Sequence, residues 1–117
     1  MLTVYTLKSC DTCRKALKWL DANNIKATVF DIRTDGISQD VLAEAIDHLG
    51  WEKVLNRRST TWRNLDEHHK QDITAQKATT LIAQNPTLMK RPLFVSGNSF
   101  VAGFDKPAQA WLSQLTF

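Results

Sequence analysis

The sequence lacks any long hydrophobic run. Nowhere in its 117 residues does an apolar stretch approach the ~20 needed to cross a bilayer, so no membrane association is expected. It also lacks a leader-like start: MLTVYTLKSC has no basic n-region and no small-residue cleavage site, and reads as a strand. The expected compartment is the cytoplasm. Neither sign of charge dominates, because 15 Lys and Arg oppose 12 Asp and Glu for a net charge of +3. The cations are interleaved with acids and form no basic arm, so no direct nucleic-acid binding is expected. The small excess reads as solvated surface, compatible with an anionic ligand. Repeats, low-complexity tracts and linkers are missing too, so residues 1–117 are expected to form one domain.

What is present is an ordered alternation of patterns. Residues 2–7 (LTVYTL) are apolar and β-rich and predict a buried strand. In the following KSCDTCRKALKWLDANN, Cys13, Ala16, Leu17 and Leu20 recur at helical spacing. Ser9 or Asp11 suits the start of that helix and Asn23-Asn24 its end. Residues 26–33 predict a second strand, making a βαβ unit with a parallel pair and a right-handed crossover. After the Asp35-Gly36 turn signal, Ser38 caps a helix bearing Val41, Leu42, Ala45, Ile46 and Leu49, stopped by Gly50. WEKVLN adds a short helical turn. The polar stretch 57–72 predicts a loop and a short helix. Thr74 opens a helix ended by Asn85-Pro86. Residues 92–96 and 99–103 predict two strands joined at Gly97-Asn98, and Lys106-Pro107 opens a last helix. The order predicts an α/β fold: a mixed four-stranded sheet, βαβ plus ββα, with an all-helical insertion near 36–88, which is a thioredoxin-like arrangement.

The two cysteines stand three apart, in Cys10-Asp11-Thr12-Cys13, where a strand ends and a helix begins. In a reducing compartment that spacing points to redox chemistry rather than a structural staple. A first helical turn offers unpaired N–H groups and the positive end of the macrodipole, which lower a thiol's pKa. Cys10, outside the first turn, is the expected nucleophile. Cys13, on the apolar stripe, is either a resolving thiol or a small buried hydrophobe. Lys8, Arg14 and Lys15 supply nearby positive charge, and Thr12 is a candidate for substrate contact. No metal is expected: His48, His68 and His69 are not spaced as a finger or ribbon, and His68-His69 read as solvated.

Arg91-Pro92 opens the third strand, where proline is sterically allowed. Arg91 there, and Arg57 or Arg58 in the middle segment, are candidates to hold an anionic or glutathione-bearing substrate by bidentate contacts.

The segments LKSCDTCRKALKWLDANNI, GWEKVLNRRSTTWRNLD and LMKRPLFVSGNSFVAGF together resemble the arsenate reductase-like (ArsC) superfamily of thioredoxin folds, in particular its YffB, Spx/MgsR-like subgroup. The resemblance runs from Leu2 to the last helix. It implies a nucleophilic Cys10, a cis-proline at Pro92 facing it, Arg91 at the site, and an arginine from the segment holding Arg57 and Arg58. Arsenate reductases of the glutaredoxin-coupled kind carry a third arginine after the last strand. Here that stretch is GFDKP, without arginine, and Asp105 there is expected to oppose oxyanion binding.

The function expected is a thiol-disulfide oxidoreductase, a glutathione-dependent thiol reductase. Glutathione is the co-substrate, a glutathionylated or disulfide compound the substrate, and glutaredoxin a candidate partner; no bound cofactor is expected. The alternative is an Spx-like redox-switched regulator binding RNA polymerase. Such regulators carry a further C-terminal stretch, whereas this chain ends at Phe117, which favours the enzyme. True arsenate reduction is the least favoured reading.

Overall fold

A computed structural model describes residues 1–115. They fall into two compact units, residues 1–35 with 91–115, and Gly36–Lys90.

The first unit is a sheet with two helices. Strand β1 (Leu2–Thr6) buries alternate residues Leu2, Val4 and Thr6, as its period-2 pattern requires. Helix α1 (Asp11–Ala22) follows, burying Cys13, Ala16 and Leu20. Strand β2 is Ala27–Asp31, shorter than the predicted 26–33. It stops because the Asp31 carboxylate accepts hydrogen bonds from the N–H groups of Arg33 (2.8 Å) and Thr34 (3.2 Å), folding the chain into a turn. Strands β3 (Leu93–Ser96) and β4 (Ser99–Ala102) form a hairpin pairing Ser96 with Ser99. Gly97 takes φ +58° at its turn, a conformation that favours glycine.

The sheet order is β2-β1-β3-β4. β1 pairs parallel to β2, with Leu2 opposite Ala27, and antiparallel to β3, with Tyr5 opposite Leu93. Ala16 and Leu20 of α1 and Leu112 of the last helix join Leu2, Val4 and Phe94 in one buried cluster. This is the thioredoxin-like α/β arrangement that the element order predicts.

The second unit is helical. α2 (Gln39–Leu49) is capped by Ser38, whose hydroxyl accepts from Val41 N–H, and stops at Gly50 with φ +88°. α3 (Trp51–Val54), α4 (Thr60–Arg63) and a 3-10 turn (Glu67–Lys70) are short. α5 (Ala75–Gln84) is capped by Thr74. Pro86 does more than end it: it opens a further 3-10 turn, Pro86–Leu88.

The last helix, α6 (Lys106–Ser113), belongs to the first unit, with Pro107 in its first turn. Among the described residues no helix is long and apolar enough to cross a membrane.

Candidate functional site

Cys10 occupies the N-cap of α1 with extended backbone geometry, φ −90° and ψ 118°. Neither Ser9 nor Asp11 caps this helix, because the chain enters it one residue after Ser9. Asp11 is already helical, and its carboxylate pairs with the Arg14 guanidinium. The Cys10 position is fixed by its own N–H, which donates to Leu7 O at 2.9 Å, and by its carbonyl, which accepts from Arg14 N–H at 3.1 Å. Both cysteines are free thiols, Cys10 half-buried and Cys13 only 1% exposed.

Burial opposes ionisation of Cys10. It is outweighed by the backbone N–H and thiol of Cys13 and by the Arg91 guanidinium, which hydrogen-bonds to Cys10 and attracts its charge. The thiol makes no cap hydrogen bond of strict geometry to the first turn. Ionised, the sulfur draws on the Cys13 N–H through its charge. The outcome is a Cys10 pKa below its ordinary 9.0. Cys13 goes the other way: burial, only partly offset by the Leu7 N–H and reinforced by Cys10, pushes it up to about 12. Two neighbouring thiols thus have opposed acidities, and Cys10 is the one favoured as thiolate.

Of the cations expected near Cys10, namely Arg91, Lys8, Arg14 and Lys15, Arg91 is the one that acts on it. Arg14 is turned to Asp11. The Arg91-Pro92 peptide bond is cis, and Pro92 is buried. Thr12 is exposed in the first turn of α1. Cys10, Cys13 and Arg91 are therefore brought together. Arg57 and Arg58 lie in the helical unit, both exposed. The Arg57 guanidinium stacks 5.5 Å from the Trp51 ring centroid, and Arg58 N–H donates to Asn56 Oδ1.

Asp105 does not act as the expected stray acid. Its carboxylate caps α6 by accepting from Ala108 N–H at 2.9 Å. Asp-Lys-Pro before an amphipathic stretch is an N-cap signature, legible in the sequence. Asp31 had no such signal. It is 8% exposed, and burial disfavours its charge, yet the N–H groups of Arg33, Lys8 and Thr34 hold its carboxyl below the usual range. Asp66, His68 and His69 place ligand atoms within 4.8 Å of one another on the helical unit, with His68 and Asp66 exposed.

Because Arg91 favours only the charged form of Cys10, the rate of Cys10 alkylation should rise with pH through a midpoint below 9.0. Arg91→Met removes a lowering influence and should move that midpoint upward. Iodoacetamide kinetics followed by mass spectrometry of Cys10 give both midpoints. A wild-type midpoint at or above 9.0, or one unmoved by Arg91→Met, contradicts the assignment.

A helix-start thiol beside a guanidinium, on a sheet ordered β2-β1-β3-β4, defines a thioredoxin-like protein with one cysteine favoured as thiolate. The chain belongs to the ArsC family, whose profile matches residues 5–110. It is similar to an uncharacterized protein of Haemophilus influenzae, 44% identical over 106 residues that make up 91% of this chain and 93% of the relative. It is 31% identical over 108 residues to a global transcriptional regulator, Spx 1, of Oceanobacillus iheyensis, covering 91% of this chain and 82% of the regulator. A solved structure of a YffB protein superposes with a TM-score of 0.91 at 36% identity, covering 96% of this chain and 98% of that one.

Proposed function

We propose that this chain is a thiol-disulfide oxidoreductase, acting in the cytoplasm as a glutathione-dependent thiol reductase. The observation that carries the reading is the divergence of two adjacent thiols, Cys10 favoured as thiolate beside Arg91 and Cys13 held protonated by burial. The Cys10 thiolate attacks the glutathione sulfur of a mixed disulfide R–S–S–G. The S–S bond breaks, and R–S⁻ leaves and takes a proton. Cys10 is then glutathionylated. A second glutathione, as thiolate, attacks that disulfide, releasing oxidised glutathione and regenerating Cys10. The free glutathione sulfur is oxidised to the disulfide level as the R sulfur is reduced to a thiol, and the substrate's own glutathione sulfur stays at the disulfide level throughout. Cys13 could close on Cys10 instead only by first losing its proton, so burial of Cys13 favours glutathione as the resolving thiol. Glutathione is a co-substrate here, and no resident cofactor takes part. Thr12, in the first turn of α1 beside Cys10 in sequence, and Pro92, next to Arg91, are read as substrate contacts, Pro92 on the strength of the family resemblance. A role for Arg57 or Arg58 in holding the substrate rests on the family resemblance, and glutaredoxin as partner rests on it as well.

The 31% identity to a transcriptional regulator supports a second reading, a redox-switched protein that contacts RNA polymerase. One experiment separates the two. The purified chain is assayed with a glutathionylated peptide plus glutathione, and in parallel tested for retention of RNA polymerase under reducing and oxidising conditions. Turnover without retention supports the reductase; retention controlled by oxidation, without turnover, overturns it.

Arsenate makes a third arm of that assay. An oxyanion must meet a thiolate, and desolvated guanidinium groups offset the repulsion. Phe104, Asp105 and Lys106 supply no guanidinium, and Asp105 is committed to capping. Each missing charge-assisted bond costs about 1.5–3 kcal/mol, roughly ten- to hundred-fold. Arsenate turnover should therefore be weak or absent with glutathione and glutaredoxin supplied. Robust Cys10-dependent arsenate reduction would show that another cation serves.

A further inference from the structure

Asp31 is the one buried charged residue among those described, and the proposed chemistry does not use it. Two of its three acceptor bonds, to Arg33 and Thr34 N–H, are local. The third is not: Asp31 Oδ2 accepts from Lys8 N–H at 3.0 Å, across 23 residues of sequence. That N–H belongs to the peptide unit whose carbonyl, Leu7 O, accepts the Cys10 N–H at 2.9 Å. Carboxylate, Leu7–Lys8 peptide and Cys10 amide thus form one continuous chain of hydrogen bonds. A carboxylate pulling on the N–H of a peptide makes its C=O a stronger acceptor, so the two bonds reinforce each other. The strand ends are fastened at the same place, with Ile32 N–H donating to Thr6 O (2.9 Å), Thr6 Oγ1 donating to Phe30 O (3.0 Å) and Asp31 N–H donating to Asp35 Oδ2 (2.8 Å).

We propose that Asp31 is a positioning residue for Cys10: through the Leu7–Lys8 peptide it holds the Cys10 backbone at the N-cap of α1, where Arg91 and the first-turn amide stabilise the thiolate. The proposal rests on the reading of Cys10 as the working nucleophile. Desolvating a carboxylate is costly unless it is well bonded, and a turn at the end of β2 would be served by exposed Asp or Asn. Burial of this one, with an oxygen aimed at the cysteine loop, follows from its work on that loop. Asp35, at the same strand end, bonds to Asp31 N–H and has no bond to Lys8, which makes it the control.

The sign of the effect separates positioning from electrostatics. Removing a negative charge near a thiol would by itself lower the thiol's pKa. Losing the anchor instead frees Cys10 to leave the amide and Arg91, which raises it. Cys10 alkylation is followed against pH in the wild type, Asp31→Ala, Asp31→Asn and Asp35→Ala, with near-UV circular dichroism to confirm folding. Asp31→Ala and Asp31→Asn should raise the midpoint, with alkylation near neutral pH slowed about ten-fold for each unit gained, while Asp35→Ala leaves it in place. A lowered or unmoved midpoint in a folded Asp31 variant, or an equal rise in Asp35→Ala, overturns the proposal. Amide exchange in the wild type needs no variant: Lys8 N–H should be protected, and free exchange there overturns the proposal by itself. Turnover of a glutathionylated peptide, read on the same samples, keeps the two claims apart. A raised midpoint in a chain that turns nothing over leaves the positioning role standing and removes the reductase.

Discussion

Cys10→Ser should reduce turnover of a glutathionylated peptide to the uncatalysed background. The reaction needs a sulfur that can attack a disulfide and then be attacked in turn. A serine hydroxyl is un-ionised near neutral pH and forms no disulfide, so both half-reactions are lost together. Neither Arg91 nor the Cys13 amide can compensate, since each acts only by stabilising charge on the Cys10 sulfur. Cys13→Ser should behave differently. Cys13 is pushed up to about 12 and stays protonated, so glutathione still resolves the intermediate. Its loss should cost only the help its thiol gives Cys10. Mass spectrometry during turnover should find glutathione on Cys10 in the wild type and in Cys13→Ser, and nowhere in Cys10→Ser. Full activity in Cys10→Ser, with glutathione carried by Cys13, would reverse the assignment of the two thiols.

Phe94→Ala should destabilise the fold by about 3–5 kcal/mol, the usual cost of deleting a buried aromatic ring. Phe94 is 0% exposed and sits in β3 against Leu2, Val4, Ala16, Leu20 and Leu112. Its ring centroid lies 6.5 Å from that of Phe104. The cavity would open between sheet and helices, where strand backbones leave little room to collapse. A loss of this size lowers the melting temperature by more than about 10 °C for a chain of this length. Val29→Ala, on the same sheet but 46% exposed, should stay within about 0.5 kcal/mol. Thermal melts of the two variants beside the wild type make the comparison. Equal melting temperatures for Phe94→Ala and the wild type would mean that the ring is not in the core.

Much of the framework was legible because it is written locally. A period of two marks β1, a period near 3.6 marks α1, and Ser38 and Thr74 each cap a helix with a side chain three residues from its amide partner. Gly97-Asn98 announces the β3–β4 turn in the same way. Misreadings came where a local cue had two uses. Asp11 and Asp105 are both acids beside a helix start, yet Asp11 pairs with Arg14 and Asp105 is the cap. The early end of β2 was invisible because Ile32 and Arg33 suit a strand, and only the bonds to the Asp31 carboxylate turn them away.

The sequence by itself determined the element order, the place of Cys10 at the mouth of α1 and the apolar stripe that buries Cys13, since each depends on residues within one or two helical turns. The tertiary structure decided which cation serves the thiol and what holds the thiol in place. Arg14 is near Cys10 in sequence but is taken by Asp11, while Arg91, far along the chain, reaches it because β3 pairs antiparallel beside β1. Asp31 reaches Lys8 because β2 pairs parallel on the other side of β1 and ends level with Thr6. Charge and hydrogen bonds act over a few ångströms of space, and strand pairing sets those distances without regard to separation along the chain.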